Sequence, residues 1–224
     1  MGYRIENKPI VLTGKKALTK ISSDKSGDVY RYRNQAVRIF KDNDDKHIDQ
    51  ETARLLSSIP TENILLPRKL VFFNSAFKGY SMKLVPKKGI TRRMISAPKE
   101  EFLGTVSALE TDSDTLSKRH ILLSEITPAN AFYNGEIYLC NPDKYSLLEL
   151  QSTDDLSTIN RFQIHLLIIE MIAMEMKKAH YTQPIINRVK EMLALKDPEQ
   201  DICDFYDDII DGKTTIKQMI KKII

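Results

Sequence analysis

Between Leu18 and Phe40 apolar and polar positions alternate around single turn residues. The run ISSDKSGDVYRYRNQAVRIF reads as a strand, a loop from Ser22 to Gly27, a second strand, an Arg33-Asn34 turn and a third strand. The period then changes. In KDNDDKHIDQETARLLSSIP, Ile48, Thr52, Leu55, Leu56 and Ile59 mark one face at helical spacing, acidic residues stand in the first turn, and Pro60 is a stop. LPRKLVFFN and KGYSMKLV return to strand patterning around a polar turn from Asn74 to Gly79. The pattern predicts a small antiparallel sheet carrying one helix.

Past Val85 the pattern shifts again, with Pro86 and Gly89 bracketing two lysines, as in a hinge between lobes. SAPKEEFLGTVSALE and SDTLSKRHILLSEI read as two helices with Ser/Pro and Ser/Asp starts. NAFY and EIYLC flank Asn134-Gly135, a strong hairpin signal. INRFQIHLLIIEMIAMEMKKAH is apolar on almost every side, the mark of a helix buried in the middle of a lobe. IINRVKEMLALKD, DICDFYDDIID and TTIKQMIKKII read as amphipathic helices. The expected class is α+β and bilobal: an N-lobe over 1–85, a hinge at 86–89 and a reduced, mainly helical C-lobe over 90–224.

Composition narrows the setting. Of the 224 residues 42% are hydrophobic and 29% charged, a balance that favours neither disorder nor a membrane span. The longest apolar region, Ile164 to Met176, is broken by His165, Glu170 and Glu175. The start, MGYRIENKPI, lacks a secretory core, and Glu6 stands where a myristoylation signal needs Ser or Thr. Cys140 and Cys203 lie far apart, without zinc or disulfide spacing, and a cytoplasmic setting is expected. The net charge of +4 is spread along the chain, and the basic runs at 67–69 and 87–89 lack interleaved aromatics. Neither nucleic acid nor membrane is therefore expected as a partner.

Two constellations carry candidate chemistry. Glu51 falls three residues after Ile48 and four before Leu55, which turns its carboxylate toward the sheet. Arg38, at the centre of QAVRIF, is the cation it would meet; an exposed arginine and an exposed glutamate form the plainer alternative. The hairpin brings Asn130 next to residues 141–143, and Glu125 precedes it, so three oxygen-bearing side chains converge as for a hard cation such as magnesium. Turn and capping roles for Asn130 and Asn141 are the alternative.

The order of these elements resembles the protein kinase-like fold family, with a degenerate member's motifs and a short bacterial-type C-lobe. ISSDKSGDVYRY resembles the glycine-rich loop, with Gly27 and Val29 in matching positions and Ser22 and Asp24 in place of the first two glycines. QAVRIFK resembles the strand that carries the phosphate-binding lysine, with Ala36 facing the nucleotide and Arg38 in the lysine's place, and Glu51 matches the helix glutamate. SEITPAN resembles the catalytic loop, so Glu125 stands for the catalytic aspartate and Asn130 for a metal-binding asparagine. CNPD resembles the metal-binding DFG segment, with Asn141 for its aspartate and Asp143 for its glycine. The likeness runs over about residues 15–180, and no APE-like motif follows. ATP and magnesium are the cofactors it implies.

The departures all weaken phosphoryl transfer, which depends on positioning and charge neutralisation. Arg38 keeps the charge but is bulkier than an ammonium. Glu125 adds a methylene, a displacement of about one ångström in a reaction sensitive to that scale. Asn141 removes the anionic metal ligand. Asp24 brings a negative charge to the loop that approaches phosphates. The reading is a catalytically impaired, pseudokinase-like protein that acts by protein binding or as a nucleotide-tuned regulatory module. The alternative is an atypical phosphotransferase with Glu125 as base and Asn130 and Asp143 on the metal, and a third reading is a purely structural module.

Overall fold

Alternation along Gln35–Phe40 places its side chains on two sides of a sheet, and both sides are covered. Ala36 and Phe40 join the larger apolar core, whereas Val37 and Ile39 pack with Ile5, Ile10 and Val71 in a second, smaller one. The computed structural model of the chain describes residues 2–12, 18–41, 47–85 and 99–178. The hinge expected at 86–89 and the helices expected after Lys178 lie outside these residues.

The strands are β1 (Tyr3–Ile5), β2 (Lys8–Ile10), β3 (Thr19–Ser23), β4 (Gly27–Tyr32), β5 (Gln35–Phe40), β6 (Lys69–Phe73) and β7 (Ala76–Lys83). They form one antiparallel sheet in the order β2-β1-β6-β7-β5-β4-β3. The three strands expected over 18–40 and the two expected over 66–85 are all present. β1 and β2 are not visible in the alternation because each is only three residues long. They join the sheet through the pairing of Tyr3–Ile5 with Phe73–Val71. β7 lies so close to β5 that a Cβ on Gly79 would stand 2.0 Å from the carbonyl oxygen of Arg38. Only glycine fits there.

The crossing helix, α1 (Gln50–Leu56), is shorter than the pattern predicts and buries Ala53 and Leu56. Asp49 caps it, accepting from the Thr52 amide at 2.8 Å. After it the chain runs to Ile64, which bridges to Leu139, while the Leu65 amide donates to the Leu139 carbonyl at 2.7 Å.

The two helices expected from 96 to 126 are one, α2 (Lys99–Ser117), followed by a turn and the short strand β8 (Ile121–Leu122). The Ser113-Asp114 start reads like a cap but is not used as one. The Ser113 hydroxyl donates to the Glu110 carbonyl, and Asp114 pairs with Arg161 and Ser157. The preceding carboxylate, Asp112, is buried and accepts from the amides of Glu62, Asn63 and Ile64, the Asn63 contact being 2.7 Å. It clamps the segment after α1 onto α2.

The hairpin forms from β9 (Ala131–Tyr133) and β10 (Ile137–Leu139), with Tyr133 opposite Ile137. Its loop has three residues, Asn134 to Glu136, rather than two, and Gly135 supplies the positive φ of 84°. β11 (Ser146–Leu147) then pairs with β8. α3 (Thr153–Lys178) buries Leu156, Asn160, Ile164, Leu167, Ile168 and Met171 on one stripe. Asn160 has no exposure; it accepts from the Leu123 amide and donates to Ser117 and the Ile121 carbonyl, tying α3 to α2 and β8. Among the described residues no helix is long and apolar enough to cross a membrane.

Candidate functional site

Arg38 lies in the middle of β5, opposite Val29 on β4 and Tyr80 on β7, and is 3% exposed. A buried guanidinium needs partners on every side. Its Nε stands 2.6 Å from Asp143 Oδ2, an ion pair whose N–H is not aimed at the oxygen. One terminal nitrogen donates to Asp24 Oδ2 at 2.9 Å, and the other donates to the Ser26 hydroxyl at 2.7 Å and to Asp24 Oδ1 at 3.3 Å. Asp143 is itself buried and accepts from the Tyr80 hydroxyl at 2.6 Å.

These contacts set the protonation states. Burial works against the Arg38 charge, but Tyr80, Asp143 and Asp24 outweigh it and hold its pKa above the ordinary arginine value. Burial pushes Asp143 up, and the neighbouring Arg38 and Tyr80 only partly offset it. The Tyr80 phenol, also buried, is pushed well up and stays protonated as the donor. Burial raises Asp24 less than Arg38 and the amide of Gly27 lower it, so it is ionised.

The β3–β4 turn is built around Asp24. Its Oδ1 accepts from the Ser26 amide at 2.9 Å, the Ser26 hydroxyl at 3.0 Å and the Gly27 amide at 2.8 Å. A Cβ on Gly27 would meet the Ile39 carbonyl at 2.8 Å and the Arg38 guanidinium carbon at 3.3 Å, so glycine is required by the closeness of β5. Val29 packs against the larger core and Ala36 is buried in it. These four positions, Gly27, Val29, Ala36 and Arg38, thus share one corner of the sheet.

Glu51 is not part of this corner. The helix begins at Gln50, so Glu51 sits exposed in its first turn, and the Arg38 charge is met by Asp143 and Asp24 instead. The expected strand–helix pair is replaced by a pair between the strand and the segment after the hairpin.

The three oxygen donors around the hairpin are divided as well. Asn130 ends a single 3-10 turn, Pro128–Asn130, and its carbonyl accepts from the Cys140 amide at 2.7 Å and the Cys140 thiol at 2.9 Å. Asn141 lies beside it and its amide donates to Asn130 Oδ1 at 3.5 Å. Glu125 adopts a left-handed backbone, φ 51°, and its exposed side chain pairs with Lys144 at 3.4 Å. Asn141 is also left-handed, φ 72°, a conformation asparagine tolerates. The turn Pro142–Lys144 follows and carries the Asp143 carboxylate toward β5.

Magnesium does not fit this donor set. The Asp143 carboxylate is taken by Arg38 and Tyr80, the Glu125 carboxylate faces Lys144, and the remaining pair is two neutral amides bonded to each other. Among the described residues no group of three or more His, Cys, Asp or Glu gathers as for a metal ion. Tyr80 was missed by the sequence reading; its sequence signal was an aromatic hydroxyl facing the same side of β7 as Arg38 of β5.

The described elements make an α+β arrangement: an antiparallel sheet with one helix, then a loop, hairpin and turn on helical support. No family model and no curated protein sequence matches the chain. Among solved structures it is similar to the kinase domain of PknI from Mycobacterium tuberculosis, at 17% identity and a TM-score of 0.46, over 69% of this chain and 72% of that one. It is also similar to the PK-1 kinase of the Cydia pomonella granulovirus, at 14% identity and a TM-score of 0.45, over 66% of this chain and 53% of that one.

Proposed function

We propose that the chain is a kinase-like protein that acts by binding a protein partner and not by transferring phosphate. The observation that carries this reading is the buried Arg38, whose guanidinium pairs with Asp143 and donates to Asp24 and Ser26. In a phosphotransferase the cation at this place must be open to the phosphates, and a carboxylate nearby must be open to the metal. Here cation and carboxylate neutralise each other. The missing anion at Asn141 and the outward pairing of Glu125 with Lys144 favour the same reading.

The test is turnover. The full chain, incubated with magnesium and labelled ATP in the presence and absence of a general protein acceptor, is expected to release ADP no faster than buffer and to incorporate no label. Incorporation that disappeared in Glu125→Ala, a change at an exposed position, would overturn the reading and establish Glu125 as the base.

A further inference from the structure

Apolar side chains scattered singly in water are ordinary, whereas a fixed group of them marks a surface that something covers. Ile21 is exposed, but it sits where the register of the edge strand β3 shifts between Lys20 and Ser22, a bulge that blunts an edge by itself. The start of α3 is different. Leu147, Leu148 and Leu150 are exposed close together in the chain, and Leu150 is uncovered altogether. The backbone beneath them is held: Leu147 pairs with Ile121, the Leu148 amide donates to the His120 carbonyl at 2.8 Å, and the Gln151 amide donates to the Leu148 carbonyl at 3.1 Å. The Gln151 side chain donates to Asp155 Oδ2 at 3.1 Å, which sets the leucine segment against the face of α3 that carries Asp155. Ile159, also exposed, follows Asp155 by one turn on that face.

Charge decides what fits this surface. Glu149, Asp154 and Asp155 are exposed along its α3 side, and the ion pairs among the described residues use other carboxylates. Lys118 and Arg119 adjoin His120 at the Leu148 end. Of the amphipathic patterns after Lys178, residues 201–211 carry five aspartates and no lysine or arginine, so the acidic rim repels them. Residues 185–197 mix both signs. Residues 214–224 carry Lys217, Lys221 and Lys222 and no acidic side chain, and Ile216, Met219, Ile220, Ile223 and Ile224 fall on one stripe at helical spacing. Reach is ample: residues 179–213 could span more than about 100 Å, against the roughly 39 Å of α3 that the chain has to retrace.

We propose that Leu148, Leu150 and Ile159 form a docking surface for residues 214–224 of the same chain, seated as an amphipathic helix with its isoleucines on the leucines and its lysines toward Asp154 and Asp155. The surface lies on α3 and the segment before it, apart from the site around Arg38. ATP turnover by the wild type would therefore overturn the inactive reading and leave this proposal standing.

The experiment uses the full chain with labelled isoleucine and leucine methyl groups and reads nuclear Overhauser contacts between the Leu150 methyls and those of Ile220 and Ile223. In the wild type these contacts are expected within one chain, and a mixture of two differently labelled populations is expected to show none between chains. Leu150→Ser, at a fully exposed position, is expected to leave the core methyl signals in place and to shift those of Ile220 and Ile223. Lys217→Glu, Lys221→Glu and Lys222→Glu together change no described residue, so the surface stays intact, and the contacts are expected to weaken at least fivefold. Absence of the contacts in the wild type would overturn the proposal. Contacts found only between chains would overturn it too, with a second copy as the occupant. So would contacts that kept their full strength after the lysine reversal, because charge is what selects this segment.

Discussion

At the scale of single residues, the centre of the molecule is a buried charge pair with a phenol attached. Breaking such a pair leaves one ion uncompensated in the interior and costs about 3–5 kcal/mol, whereas replacing both partners by apolar groups is close to neutral. Arg38→Met is therefore expected to lower unfolding free energy in urea by about that much, and Arg38→Met with Asp143→Leu to recover most of it. Tyr80→Phe removes a donor from the buried Asp143 and is expected to cost roughly 1–3 kcal/mol by the same measurement. The arginine in this role was legible from its place in QAVRIF, but its partner was not. Glu51 has the spacing of an inward residue only if the helix is long enough to continue the Ile48 face, and α1 begins after that residue. Asp143 was expected on a metal and not on Arg38: the left-handed Asn141 and the turn after it redirect the next carboxylate, and residue spacing alone does not carry that information.

Elements are joined here by carboxylates on backbone amides. Asp112→Ala would leave the amides of Glu62, Asn63 and Ile64 without their buried acceptor, and a loss of about 3 kcal/mol or more is expected in denaturant unfolding. This role explains why α2 runs through the Ser113-Asp114 pair that looks like a helix start. Tertiary partners for Asp112 and Asp114 outweigh the local preference of these residues for caps. The β3–β4 hairpin gives the pH prediction. Hydrogen bonds from Lys20 and Ser23, with the charge of Lys41, lower the Asp28 pKa to about 2 from an ordinary 3.8. Between those values the unfolded chain binds more protons than the folded one, so stability from this group is fully present above 3.8 and lost as pH falls through about 2. Acid unfolding followed by circular dichroism should show a shallower pH dependence in that window for Asp28→Asn.

For the whole molecule, the sheet, the crossing helix, the hairpin and the long α3 were legible because each has a clear period or turn signal. The N-terminal pair β1 and β2 was not, since three-residue strands hold too little alternation to register and owe their place to β6. The central claim is that the cation expected to meet phosphates is closed off by the protein's own anions. A ligand that binds only the folded state at 100 times its dissociation constant adds about 2.7 kcal/mol, a shift of several degrees in melting temperature for a domain of this size. The most direct measurement is therefore thermal unfolding of the full chain with and without millimolar ATP and magnesium. The account predicts an unchanged melting temperature, and a saturable rise of several degrees that Arg38→Met abolished would contradict it.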